Sequence, residues 1–440
     1  MKQSIFLLLV VAACLAACLD SQEARDRSDA AGASIAVRST PPSPPVTRTL
    51  AASGTQRAAT TIDRQTGAVY VAWTQKTDGR YHVVLARAHE ADSTPVRVSA
   101  PDDTTLSAHA SPKVQVGPDG TVYVAWTNRI PIEGRTWPGS NILLAASTDS
   151  GRTFDAPVFV NDDAEGLPTE HGYHDLAVGP DGTVYVAWID FRVQDSVRVA
   201  RRRGSQAHVQ GPRTQPFRPV GHAVRHDGPG AEIRLAYATD GGRTFSRNVV
   251  VDDRACECCP ISVAVGADGA VYVMWRKIFE DNIRDMAVAR STDGGRTFSE
   301  AVRVHEDNWQ INGCPHVASA LTVDEAGRVY AGWYTGQRAQ DGLYYAVSAD
   351  GGATFGTSVG LVSGVAKSEM QLRAGHDGEV WGVWEDKSGS TPRLLMARLD
   401  QPTPPIEIAQ GTSPVLAVHG RQRAVVWVNE GIHVRYGIEE

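Results

Sequence analysis

From Val46 onward the chain is made of short apolar or alternating runs, each bounded by Gly, Pro, Asp or Asn. Runs punctuated in that way predict β-strands. One phrase recurs along them. Gly117-Pro-Asp-Gly-Thr-Val-Tyr-Val-Ala-Trp126 is repeated letter for letter at Gly179–Trp188 and closely at Gly266–Trp275, and weaker copies end at Trp73, Trp333, Trp384 and Trp427. In each copy an apolar segment such as Asp175–Val178 enters an Asp-Gly turn that reverses the chain into the Trp strand, a hairpin signature. A third strand follows a variable loop, as in Asn141–Ser147, and a fourth lies within Asp155–Val160.

Copies of one supersecondary unit about 59 residues apart on average predict a repeat architecture. Four strands at that period predict an all-β fold, a β-propeller of four-stranded blades. The count of Trp strands favours seven blades, with six as the alternative. The last copy, Thr412–Glu440, holds only three strand candidates. Val46–Leu50 is expected to supply its fourth strand, closing the ring and removing an open sheet edge.

Hydrophobic residues make up 42% of the chain, enough to bury the core of one large domain over residues 46–440. A monomer is expected. The formal charge of −7 has the wrong sign for a protein that tracks phosphates, so no nucleic-acid partner is expected. Met1-Lys2 and the apolar run Ile5–Ala17 predict an export signal over residues 1–17, too short to span a bilayer. Leu15-Ala-Ala-Cys18 resembles the bacterial lipobox, which implies lipidation at Cys18 and a membrane partner reached through that anchor. A second match ending at Cys14 shortens the apolar region, and an ordinary export signal is the alternative. Leu19 in place of Asp favours the outer membrane of a bacterial cell envelope. Residues 18–45, rich in Ala, Ser and Pro, predict a disordered tether.

A second repeat stands between the third and fourth strands: Ser147-Thr-Asp-Ser-Gly-Arg-Thr-Phe154, with counterparts at Ala238–Phe245, Ser291–Phe298 and Ser348–Phe355. It resembles the Asp box of the sialidase superfamily, also called the BNR repeat, with Phe in place of Trp. Asp149, Asp240, Asp293 and Asp350 are expected to accept hydrogen bonds from their own turns, with glycines at positive φ and the Phe packed between sheets. The Asp box is a structural turn and says little about reaction. These uniform turns share one rim of the fold. Length variation therefore falls on the opposite rim, where a rigid scaffold carries its sites.

The segments entering the first strands on that variable rim are Gln56-Arg57, His109–Pro112, His171–Asp175, Cys256–Pro260, Gly313–His316 and Lys367–Glu369. Thiolate and imidazole ligate zinc or copper, which makes Cys256, Cys258, Cys259, Cys314 and His316 a candidate metal set. Disulfides among the four cysteines, or free thiols, are the other readings. The loop after Trp188 holds eight arginines between Arg192 and Arg225, Arg201, Arg202 and Arg203 among them, against one acid, Asp195. Such a loop suits an anionic ligand, with Glu369 on the same rim; a solvated insertion is the plain alternative.

The sialidase resemblance implies an arginine triad, a Tyr nucleophile assisted by Glu, and an Asp acid/base. The family's Phe-Arg-Ile-Pro falls at Gln56-Arg57-Ala58-Ala59, where Arg57 matches by position only; Tyr173, Asp190 and Arg192 are candidates by placement. Propeller polysaccharide lyases use His, Tyr and Arg, and His171, Tyr173, His174 and Arg192 supply those types. A non-catalytic propeller binding a metal or a protein is the third reading. The expectation carried forward is an exported lipoprotein that binds or processes an anionic glycan at its variable rim.

Overall fold

The computed structural model describes residues 45–51, 56–101, 103, 111–133, 138–166, 168–196, 230–313, 315–337, 341–364, 367–375, 377–401 and 403–437, all within one compact unit, Pro44–Glu440. Cys18, His109, Arg201, Arg202, Arg203 and Cys314 lie outside the described residues.

The described residues are all-β apart from turns, a short helical stretch at 192–196 and a 3-10 turn at Glu280–Asn282, and their 28 strands fall into antiparallel sets of four. Five sets are separate sheets. Two more are fused into one eight-stranded sheet, where Ala255 at the end of Val249–Ala255 pairs with Lys277 of Val271–Ile278. In the last set, Thr412–His419, Gln422–Val428 and Ile432–Tyr436 are completed by Val46–Ala51, with Val46 opposite Tyr436 and Thr49 opposite His433.

The recurring phrase forms the second strand of each set. Val122–Thr127, Val184–Asp190 and Val329–Thr335 are buried along their whole length, because both faces are covered by neighbouring sets. Trp73, Trp126, Trp188, Trp275 and Trp333 are fully buried. Each contributes roughly 4–6 kcal/mol as an upper estimate of area removed from water. Apolar clusters lie between successive sets, and the one containing Ala58, Trp73, Val415 and Val434 joins the last set to the first.

The Ser-x-Asp turns hold themselves together. Asp149 accepts from Ser147 Oγ at 2.7 Å, from the N–H groups of Arg152 and Thr153 at 3.0 and 2.9 Å, and from Thr153 Oγ1 at 2.7 Å. Asp240, Asp293 and Asp350 also accept from the Thr N–H and hydroxyl of their own turns. Gly295, at φ +82, packs so closely that a Cβ there would sit 3.0 Å from Leu235 Cδ2 and 3.3 Å from the Tyr185 ring. Phe154, Phe245, Phe298 and Phe355 pack into the clusters between sets.

Candidate functional site

The first strands of the sets are Gln56–Ile62, Lys113–Val116, His171–Val178, Ser262–Val265, Ala320–Val323, Met370–Ala374 and Thr412–His419. Each lies beside the next, and Thr412–His419 lies beside Gln56–Ile62. In a strand, alternate residues face the same side. Here the apolar positions pack outward into the clusters, while Lys113 and Gln115, and Gln371 and Arg373, face the space between the first strands. That space is a cavity of about 980 Å³ including its opening, and all seven first strands or their approaches line it.

Its wall carries three cations, Arg57, Lys113 and Arg373, and two acids, Asp175 and Glu369. Arg57 is paired with Glu369. Burial raises the Glu369 carboxyl above its ordinary value, with Arg57 opposing and Glu385 reinforcing the shift. Lys113 Nζ lies 3.3 Å from Asp175 Oδ1, while Asp175 Oδ2 accepts from the Val263 N–H at 3.0 Å. Asp175 is therefore committed to tying three first strands together. Burial lowers the Arg373 guanidinium, with Asp175 opposing; its Nη1 donates to the Leu372 carbonyl at 2.8 Å.

Tyr173 and His174 reach the wall through a β-bulge. The register between His171–Val178 and Val184–Asp190 slips between Gly172 and Asp175, and Tyr173 takes φ +55. Bulges re-aim side chains in this way. His174 is buried, its Nε2 lies 3.2 Å from the Ala125 carbonyl, and its Nδ1 has no hydrogen-bond partner among the described residues. Burial, and after it the charge of Lys113, lowers its pKa to about 4. The ring is neutral at pH 7, and the Nε2 contact to a carbonyl leaves the lone pair on Nδ1.

His171, Asp190 and Arg192 come together, but in a separate network that does not line the cavity. Arg192 forks onto Asp190 at 2.9 and 2.8 Å and reaches Asp162 Oδ1 at 2.7 Å. His171 Nε2 lies 3.0 Å from Asp163 Oδ1 and 3.4 Å from Asp190 Oδ2, while Nδ1 faces the Ser140 carbonyl. Burial opposes charge on this ring, but Asp163 and Asp190 outweigh it and raise its pKa, so the fold favours the charged form of His171. Trp188 Nε1 donates to Asp190 Oδ2 at 2.8 Å, which brings the Trp strand into the same network.

Cys256, Cys258 and Cys259 lie between Val249–Ala255 and Ser262–Val265 and are free and buried. Burial raises the Cys259 thiol, but hydrogen bonds with Cys256 and Cys258 and the charge of Arg276 bring it well below the ordinary value. His316, at φ +54, lines a second opening of about 600 Å³ with Arg57, Lys367, Glu369, Glu385 and Lys387. Arg57, Tyr173, His174 and Glu369 were expected at the rim from their place before the first strands. Lys113 and Arg373 were not singled out, although a charged residue at an alternate position of an otherwise apolar first strand is a readable sign of a polar channel face.

No protein-family model and no curated protein sequence matches the chain. In fold, the protein is similar to an ulvan polysaccharide lyase bound to -[GlcA(1-4)Rha3S]-, with a TM-score of 0.50 and 11% identity over 89% of this chain and 95% of that one. A Hadza microbial sialidase, Hz136, gives a TM-score of 0.48 and 15% identity over 84% of this chain and 73% of that chain. The NanB sialidase from Streptococcus pneumoniae gives 0.46 and 8% over 90% and 94%. The likeness to the ulvan lyase is one of fold alone, an all-β, propeller-type architecture.

Proposed function

We propose that residues 46–440 form a seven-bladed propeller closed by Val46–Ala51, carried outside the cytoplasm on a lipid anchor at Cys18, and that the central cavity binds an anionic glycan. The unbroken order of first strands and the pairing of Val46 with Tyr436 support the ring. The self-bonded carboxylates of Asp149, Asp240, Asp293 and Asp350 support the Asp-box reading.

The observation that carries the ligand is the placement of Arg57, Lys113 and Arg373 on one cavity wall. Three cations against two acids leave a site that favours a carboxylate or sulfate. Serine and glutamine side chains at Ser111, Gln115, Ser262, Gln371 and Ser413 supply hydroxyl-directed hydrogen bonds of the kind a sugar ring uses. Titration calorimetry with uronate and sialate oligosaccharides tests this. Binding that weakens about tenfold or more in Arg373→Ala, and that neutral oligosaccharides lack, is expected; equal binding of neutral and anionic sugars overturns it.

A second reading, turnover by proton abstraction, is favoured by His174, a neutral imidazole with an unpartnered Nδ1 beside Tyr173. Lyase action on a uronate polymer leaves an unsaturated uronate that absorbs in the ultraviolet. Absence of that product, with glycan binding intact, leaves a binding protein.

A further inference from the structure

The thiol cluster plays no part in the glycan reading. Cys256 Sγ lies 3.8 Å from Cys258 Sγ and 3.6 Å from Cys259 Sγ, and all three sulfurs lie within 4.8 Å of one another. A disulfide requires about 2.05 Å, so neither of these contacts is a bond. Sulfurs placed about 2.3 Å from a tetrahedral zinc ion stand about 3.8 Å apart. The separations of Cys256 from Cys258 and from Cys259 match edges of such a tetrahedron, and the third lies within 4.8 Å.

We infer that Cys256, Cys258 and Cys259 form a thiolate centre for one tetrahedrally coordinated zinc ion. The surroundings suit the charge that the thiolates bring. Arg284 Nη1 lies 3.3 Å from Cys256 Sγ and also donates to the Gly313 carbonyl at 3.0 Å. Arg276, buried, donates to the carbonyls of Arg284 and Tyr334 at 2.9 and 2.7 Å and stacks over Trp309. The Arg284 guanidinium thus touches a cluster that would otherwise place several negative charges in an apolar interior. Three sulfur ligands select a soft or borderline ion over calcium or magnesium.

The three sulfurs are buried beside Ile278, and the fourth corner of the tetrahedron falls outside these three residues. The position of the cluster gives the ion a task. Cys259 is followed directly by Pro260, Ile261 and Ser262, which line the central cavity. Ser262 Oγ donates to the Ser319 carbonyl at 2.8 Å, and the Ser319 N–H donates to the Pro260 carbonyl at 3.1 Å. An ion held at the cysteines fixes the approach to Ser262–Val265 and, through Ser319, the next stretch of the cavity wall.

The test is elemental analysis of the full chain after dialysis against trace zinc, together with cobalt(II) substitution read by its thiolate charge-transfer and tetrahedral ligand-field absorption. One zinc per chain, a tetrahedral cobalt spectrum, and loss of both in Cys256→Ser and Cys259→Ser are expected. To separate metal loss from unfolding of those variants, the wild-type chain is also stripped with a chelator, with a lowered Tm restored by zinc expected. A folded wild-type chain that takes up neither metal, or a mass lower by one disulfide within Cys256–Cys259, overturns the centre. Copper recovered in place of zinc overturns the choice of ion.

Discussion

The guanidinium of Arg57 and the carboxylate of Glu369, 312 positions apart in the chain, meet as an ion pair at the mouth of the central cavity. The pair holds Arg57 back from any incoming anion. Glu369→Gln releases it, so tighter binding of a uronate or sialate oligosaccharide is expected, by a few-fold to tenfold, measured by calorimetry. The gain shrinks with added salt, since Arg57 is partly exposed. Unchanged affinity in Glu369→Gln removes Arg57 from the ligand site.

His171 and His174 give stability opposite dependences on pH. The imidazolium of His171 is favoured by the fold, so its contribution is complete below about pH 6.5 and is lost as pH rises through its raised folded value. His174 is buried neutral with a pKa of about 4; its contribution is complete above about pH 6.5 and is lost as pH falls toward 4, a loss of about 3 kcal/mol. Urea midpoints measured from pH 4 to 9 should peak near pH 6.5. His171→Gln should flatten the alkaline limb and His174→Gln the acidic one; a wild-type profile without either slope contradicts both assignments.

Gly295 and Gly269 separate two costs of a side chain. Both have φ near +80, but a Cβ at Gly295 strikes Leu235 and Tyr185, whereas nothing lies within 4 Å at Gly269. Gly269→Ala should cost about 1 kcal/mol from backbone strain alone, and Gly295→Ala about 1–3 kcal/mol more from overpacking. Chemical denaturation of the two variants reads the difference, and equal costs show that the packed turn yields.

Asp149→Ala removes the acceptor shared by Ser147, Arg152 and Thr153. A lowered Tm with unchanged glycan affinity is expected, since this turn is not among the cavity-lining segments. Weakened binding in that variant would connect the turn to the site.

The repeat and its strand order were legible because turn chemistry and side-chain alternation are local properties. Gly-Pro-Asp-Gly followed by Val-Tyr-Val-Ala-Trp announces a hairpin wherever it stands, and the incomplete last copy pointed to Val46–Leu50 as its missing strand, which the pairing of Val46 with Tyr436 supplies. The site was legible only in part. Arg57, Tyr173 and His174 could be placed at the rim from their position before a first strand, but His171, three residues from His174, turns instead toward Asp163 and Asp190. That division depends on the bulge at Tyr173, a backbone feature with no residue signature of its own. The closeness of the three cysteine sulfurs likewise depends on how Cys256–Pro260 folds between two strands, which spacing alone does not specify.

The antiparallel match of Val46–Ala51 with Ile432–Tyr436 places the two termini of the folded unit side by side. A short peptide bridging them, with new ends opened at the exposed turn around Asp78 and Gly79, gives a circular permutant that keeps every strand pairing. In such a molecule the chain ends lie at a different turn, so the point from which the cavity is presented becomes an adjustable property of where the chain is cut.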